Sequence, residues 1–165
     1  MADKTLSERL QPSLLDRLTD TDPGNFKETR ESRVIDVSRL RDIVQRDLSW
    51  LLNTTNIEST FDEEAFPNVA RSVLNYGLAE ASGEFSTTRR AELIRRSIEN
   101  AIAVHEPRII PGSVEVALTP DENSNDMSVA LTIRADMWAQ PLPMELYLRS
   151  KVDVTTGEVS VERSR

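Results

Sequence analysis

The sequence predicts a single α+β domain in which N-terminal helices pack on one face of a C-terminal antiparallel sheet of about four strands. The first observation is a change of period near Pro111. Apolar residues recur every three or four positions before it and every second position after it. The second is that each predicted strand has one apolar and one polar face, which is typical of an antiparallel sheet covered on one side. A chain of 165 residues is long enough to form such a core without metal or disulfide support.

Residues 1–37 are predicted to form an N-terminal arm with a short helix, and residues 38–165 the main domain. Leu14, Leu15 and Leu18, with Leu10 before them, line one side of the short helix, and a polar, turn-rich stretch follows. Two interpretations stay open at this point. The arm packs on its own domain, or it docks on a neighbouring protein that orders it.

Three helices are predicted between the arm and the change of period. The first covers residues 38–52, with Ser38 as its N-cap. The second is short and covers residues 67–74, and the third covers residues 88–105. Pro107 ends the third helix because proline has no N–H to donate and its ring clashes with the preceding turn.

Four strands are predicted after the helices. Apolar and polar residues alternate in residues 114–118, 127–137 and 142–148, with Val116 and Leu118 on the apolar side of the first strand. Residues 155–158 are typical of a hairpin turn, and a short last strand follows through Val159 and Val161.

Charge and composition argue against several classes of partner. The net charge is −8, so the surface repels phosphate groups and we expect no nucleic-acid partner. Charges interrupt the apolar residues of the N-terminus, so we expect neither a signal peptide nor membrane insertion, and a cytoplasmic location. The absence of cysteine fits a reducing compartment. Four arginines on the third helix (Arg89, Arg90, Arg95 and Arg96) are predicted to pair with Glu92 and Glu99 on a solvated helix face.

Residues able to carry chemistry are scarce, and we expect no enzyme activity, no metal and no cofactor. The only histidine, His105, lies at the C-terminal end of a helix, where a structural role is typical. Residues 121–126 alternate Asp and Asn like the start of a calcium loop. Asp126 replaces the glycine that such a loop needs at its sixth position, so a polar loop between strands is the better interpretation.

Asp47 is out of place in the pattern of the first helix. It falls between Val44 and Leu51 in the apolar stripe, where a carboxylate is costly unless it is paired. We therefore expect a basic partner, with Arg108 as the first candidate. The alternative is a helix rotated so that Asp47 stays in water.

Glu106, Pro107 and Arg108 form a second unusual feature, between the helices and the sheet. Pro107 fixes its own backbone and pushes Glu106 out of helical geometry, so opposite charges lie on a stiff corner. Such a corner suits recognition of another protein. Charged residues around a proline are also common in ordinary loops.

Three strings in this order, LQPSLLDRLTD, RDLSWLLNT and HEPRI, resemble the TssE family of type VI secretion, which is related to the phage-tail wedge protein called gene product twenty-five. The resemblance implies a cytoplasmic baseplate subunit that joins the wedge proteins TssF and TssG, with TssK also in the assembly. It also implies help in starting the TssB/TssC sheath. The family's Glu-Pro-Arg motif falls on Glu106, Pro107 and Arg108 and is regarded as an assembly contact.

The resemblance also brings two alternative functions. One is a lysozyme-like peptidoglycan hydrolase, because the family has carried that label. Such an enzyme needs two carboxyl groups across a sugar cleft, one acting as a proton donor, and the positive charge of Arg108 is unfavourable for Glu106 in that role. The other is a regulatory adaptor built on the same fold.

The final hairpin is a candidate docking site for the sheath. An open sheet leaves backbone N–H and C=O groups at its edge, and a neighbour can satisfy them by adding a strand. We expect residues 144–161, with Val159 and Val161 in the last strand, to offer this edge to the first sheath subunit. The alternative is that the N-terminal segment covers the edge.

Overall fold

The computed structural model describes residues 12–19, 23–24, 35–80, 87–119, 128–138, 143–153 and 156–163. In chain order the elements are α1 (Leu14–Leu18), α2 (Val37–Leu52), a 3₁₀ helix (Glu58–Thr60), α3 (Pro67–Ala70), a 3₁₀ helix (Val73–Asn75), α4 (Thr87–His105), β1 (Glu115–Leu118), β2 (Ser128–Met137), β3 (Met144–Asp153) and β4 (Val159–Arg163). This is the predicted α+β architecture, with helices first and an antiparallel sheet after them.

The sheet is an antiparallel meander in the order β1-β2-β3-β4. Ile133 in the middle of β2 pairs with Val116 of β1 and Leu148 of β3, which places all three on the same face. Strands β2 and β3 pair along their whole length, whereas β1 and β4 are the two edges.

The core lies between this face of the sheet and the apolar sides of α2 and α4. The completely covered side chains come from both layers, and the largest are Val44, Leu48, Leu52, Ile98, Ile102, Leu131, Ile133, Met137, Leu146 and Leu148. Every second residue of β2 from Val129 onward is buried, because successive side chains of a strand point to opposite faces.

The structure corrects three details of the predicted elements. Helix α2 begins one residue earlier than predicted, and its N-cap is Asp36 rather than Ser38, because the Asp36 carboxylate accepts the Arg39 N–H at 2.7 Å. The predicted helix 67–74 is two short pieces, since Ser72 breaks it and caps the second piece through the Leu74 N–H at 3.2 Å. Leu118 is 44 % exposed at the end of β1, so the alternation predicted for this strand ends at Val116.

Several predicted features fall outside the described residues. These are Leu10, Met127, Leu142 and the polar loop 121–126.

Residues 55–78 form a loop between α2 and α4, which we call the 55–78 loop. Thr55 and Leu78 pair in a short parallel bridge that closes it, and the Leu78 N–H donates to the Thr54 C=O at 2.7 Å. Gly77 is required at this closure because its φ is +124° and a Cβ atom there would lie 2.2 Å from the Thr54 oxygen. The two ends of the loop are thus fixed to each other.

Candidate functional site: a charged corner between the helices and the sheet

The corner begins where α4 ends at His105 and the chain turns into the sheet. The Trp138 N–H donates to the Arg108 C=O at 2.8 Å, and the Ile110 N–H donates to the Asp136 C=O at 2.8 Å. Ile109 between them is buried and pairs with Met137. Backbone contacts to the end of β2 therefore fix Arg108 in position.

Glu106 is buried, with 5 % of its surface exposed, and Arg108 holds its carboxylate. The Arg108 backbone N–H donates to Glu106 Oε1 at 3.1 Å and the guanidinium Nε donates to the same oxygen at 2.6 Å. The guanidinium Nη2 also contacts Glu106 Oε2. Both carboxylate oxygens thus receive charged donors, which is the arrangement that a buried carboxylate requires.

Asp47 meets the same guanidinium from the side of α2. Arg108 Nη2 donates to Asp47 Oδ2 at 2.8 Å, so the partner is the residue that the sequence analysis placed first. Arg46 binds the other oxygen, Oδ1, through Nε at 2.9 Å and Nη2 at 2.7 Å. The Asp47 side chain retains 22 % exposure because it opens into a groove beside the corner, so the paired carboxylate is not fully buried.

Arg46 extends the ion pairs to the N-terminal helix. Its Nη1 lies 2.6 Å from Asp16 Oδ1, and hydrogen bonding by Arg46 holds the pKa of Asp16 below its ordinary value. Burial opposes the charge of Arg108, but Glu106 and Asp47 outweigh it and raise the pKa of the Arg108 guanidinium. Five charges of alternating sign therefore connect α1, α2 and the corner, and we call them the corner network: Asp16, Arg46, Asp47, Arg108 and Glu106.

A groove of about 410 Å³ opens beside the corner network. Its walls come from α1, α2, the 55–78 loop and the corner, and its lining residues are Ser13, Leu15, Asp47, Trp50, Leu51, Tyr76, His105, Glu106, Pro107 and Arg108. Trp50 is half exposed, and the Arg46 guanidinium lies 4.8 Å from the centroid of its ring. An exposed tryptophan and an arginine held in place are the side chains that most often anchor protein contacts.

His105 lies in the wall of this groove and binds the 55–78 loop. Its Nε2 is 3.2 Å from the Asn75 C=O, and its ring meets the Tyr76 ring edge-on at 5.3 Å between centroids. Burial raises the pKa of the Tyr76 hydroxyl. These contacts join the loop to the end of α4.

The final hairpin has one strand at the edge of the sheet. Strand β3 is flanked by β2 and β4, so of the predicted segment 144–161 it is β4 that forms the outer edge. The outward backbone groups of Val159 are already bonded, because Asn53 at the end of α2 accepts the Val159 N–H at 2.9 Å and donates to the Val159 C=O at 2.8 Å. Gln45 donates to the Val161 C=O at 3.0 Å. Two amide side chains of α2 therefore occupy the edge at which we expect a docking strand.

The arginines of α4 form a separate group of ion pairs within one helix. Arg95 binds Glu92 at 2.7 Å and Glu99 at 2.6 Å, and Arg96 binds Glu92 at 2.9 Å. Hydrogen bonds from Arg95 lower the pKa of Glu92 to about 2. Arg95 thus contacts both of the predicted glutamates, whereas Arg96 contacts Glu92.

A family model described as baseplate wedge protein gp25 matches residues 38–142. The chain belongs to this family. The match contains α2, the 55–78 loop, the corner, β1 and β2, and it ends just before β3 begins at Met144. No curated protein and no solved structure gives a significant match to the chain.

Membership of the gp25 family gives the chain a structural role in a baseplate and implies contacts with other baseplate components. Within the described part of the chain, none of the helices is long and apolar enough to cross a membrane.

The sequence analysis missed four residues that support the site. Arg46 and Asp16 complete the corner network, and Asn53 and Gln45 bond to β4. A usable signal was present for Arg46, since it stands next to the out-of-place Asp47. Asn53 resembles an ordinary helix end in the sequence, so nothing there indicated a contact with a strand 106 positions away.

Proposed function

We propose that this chain is a TssE-type subunit of a type VI secretion baseplate. It joins the cytoplasmic wedge proteins TssF and TssG, with TssK in the same assembly, and helps to initiate the TssB/TssC sheath. Residues 38–165 form the wedge domain and residues 1–37 its arm. The observation that supports this proposal most strongly is the corner network, which holds an arginine in place beside an open groove and has all its residues except Asp16 within the region matched by the gp25 family.

The corner suits a protein contact because the carboxylate that fixes the arginine is buried, whereas the side chains that could touch a partner are exposed. Glu106 is buried and acts by fixing Arg108, whose side chain is 28 % exposed. Pro107 and Trp50 are exposed beside it. An arginine that is already ordered loses little side-chain entropy when a partner binds, so it contributes more to affinity than a free surface arginine.

The proposal is tested by mixing the purified chain with TssF and TssG and measuring co-elution. Arg108→Ala should lose co-elution, because removing one partner of a charged contact that the wedge protein buries costs on the order of 2 to 5 kcal/mol of binding. Trp50→Ala tests the same surface and should weaken binding; it removes the ring beside Arg46 but leaves the Glu106–Arg108 pair intact. Arg95→Ala, on the far ion-pair cluster, is the matched control and should co-elute normally. Normal co-elution of both corner variants would refute the proposal.

The geometry argues against a peptidoglycan hydrolase. Both oxygens of Glu106 are bonded to Arg108, and the nearby Asp47 is bonded to Arg46 and Arg108, so arginines already bind the two carboxylates that a hydrolase would need as proton donor and nucleophile. Purified protein should therefore release no muropeptides from peptidoglycan. Release that Glu106→Gln abolishes would overturn this conclusion.

Sheath initiation is proposed to use the β4 edge. A docking strand from a sheath subunit has to replace the side-chain amides of Asn53 and Gln45, and the main-chain ladder that it forms is longer than the three bonds they make. Val161→Pro removes one backbone donor from this edge. In cells with fluorescent sheath protein, the baseplate should assemble while sheath extension fails. Normal extension with Val159→Pro and Val161→Pro together would exclude this edge.

A further inference from the structure

The 55–78 loop carries four large apolar side chains that are exposed. Ile57, Phe66, Val73 and Leu74 are 39 %, 57 %, 82 % and 65 % exposed, and we call these four residues the loop patch. Phe66 immediately precedes α3, which packs against the 3₁₀ helix that carries Val73 and Leu74. Scattered apolar side chains are normal on a surface, but several within one short loop indicate a contact site.

The loop holds this patch in a fixed conformation. Asn75 is buried, its Oδ1 accepts the Ile57 N–H at 3.2 Å, and its Nδ2 donates to the Ala70 C=O at 3.2 Å. The Ala79 N–H just beyond the loop donates to Ser97 Oγ on α4 at 2.8 Å. The buried asparagine thus connects both parts of the patch, so the exposed side chains are presented by an ordered loop.

The charge of the loop indicates what kind of partner fits the patch. Glu58, Asp62, Glu63 and Glu64 are all exposed, and Arg71 is the one basic residue between 55 and 78, which gives the loop a net charge of −3. Acidic residues beside an apolar patch favour a partner that carries positive charge next to apolar side chains, and disfavour an acidic one.

We propose that the loop patch binds a segment of a neighbouring wedge protein in which apolar side chains are flanked by lysine or arginine. This inference rests on the proposed baseplate function. Tyr76 belongs to the loop and also lines the groove beside the corner, so the loop that carries the patch forms part of the groove wall. In the complex, the loop patch buries apolar area and the acidic residues beside it favour a basic partner. The corner provides the ordered arginine.

The test measures binding of the full chain to a purified TssF–TssG subcomplex. A chain carrying both Val73→Ser and Leu74→Ser should bind about tenfold more weakly or worse, because central apolar anchors carry most of the affinity of a protein interface. Leu93→Ser is the matched control, since Leu93 is an exposed leucine on α4 and should not matter. Unchanged melting temperatures verify that each variant folds.

A second pair of variants tests whether the acidic residues of the loop contribute to binding. Glu63→Lys with Glu64→Lys should weaken binding, and the weakening should shrink as salt is added because exposed charges are screened. Glu115→Lys with Glu145→Lys makes the same change in net charge at exposed positions of the sheet and should bind like the wild type.

The outcomes separate this inference from the proposed function. If Arg108→Ala abolishes binding but every loop variant binds like the wild type, the loop inference is wrong and the corner proposal stands. If the wild-type chain does not bind the subcomplex, the proposed function fails and the inference with it. If the wild type dimerises in sedimentation experiments and the serine variant is monomeric, the patch serves a second copy of the chain and the inference is overturned.

Discussion

The corner network and the ion pairs of α4 use the same residue types with different consequences. On α4, Arg95 binds glutamates three and four positions away, and Glu92 is 40 % exposed. At the corner, Arg108 binds Asp47 across 61 positions of sequence and a glutamate that is 5 % exposed. The first group can stabilise one helix, whereas the second fixes α2 against the start of the sheet.

The position of an ion pair decides how much it stabilises the fold. Exposed pairs on one helix gain little, because water already solvates both charges. Water does not solvate a buried carboxylate, so removing its arginine leaves an uncompensated charge.

Arg108→Ala should give the largest effect on stability. It leaves Glu106 buried without its main partner, at a cost of about 3 kcal/mol, which corresponds to a melting temperature lower by roughly 10 °C in a domain of this size. Differential scanning calorimetry at neutral pH measures it. A melting temperature equal to that of the wild type would show that the corner network does not stabilise the fold.

Asp47→Asn should have a smaller effect of about 1 to 2 kcal/mol, because it removes one charge but leaves hydrogen-bonding groups and the Glu106–Arg108 pair. Urea unfolding of Asp47→Asn, Arg108→Ala and the double variant measures how strongly the two residues are coupled. Strictly additive effects would contradict a shared network.

The docking of α1 should depend on pH through Asp16. Its pKa is lowered in the folded state by hydrogen bonding to Arg46, so the stabilisation is present above the ordinary Asp pKa of about 3.9 and is lost as the pH falls through the lowered value. The NMR signal of the Arg46 Nη1 hydrogens, which bind Asp16, should stay constant between pH 5 and 7 and shift only in strong acid. In Asp16→Asn that dependence should be absent, and an equal acid shift in this variant would assign the effect to another group.

Arg95→Ala should have the smallest effect. The pairs it removes lie on the surface of one helix, so the melting temperature should change by less than about 2 °C. Secretion should continue at the wild-type level in cells that carry this variant. A loss of secretion with a folded protein would mean that the exposed cluster on α4 is also a contact site.

The spacing of apolar residues along the sequence predicted the helices and strands, because these elements depend on local residue patterns. Helices α2 and α4 and the strands followed from their periods, and Asp47 predicted a basic partner because a charge in an apolar stripe needs one. The contacts of Asn53 and Gln45 with β4 could not be predicted, because they depend on how α2 lies along the sheet. The loop patch could not be predicted either. Residues 67–74 have the spacing of one continuous helix, although Ser72 divides them into two pieces.

Site-specific cross-linking can show whether the corner and its groove face the wedge proteins. The chain has no cysteine, so one introduced thiol gives a unique attachment point for a short photo-activated cross-linker. Leu15→Cys places the probe in the wall of the groove, and Arg96→Cys places it on the exposed face of α4. In secreting cells, the account predicts cross-links to TssF or TssG from Leu15→Cys and none from Arg96→Cys. Cross-links from Arg96→Cys alone would contradict it.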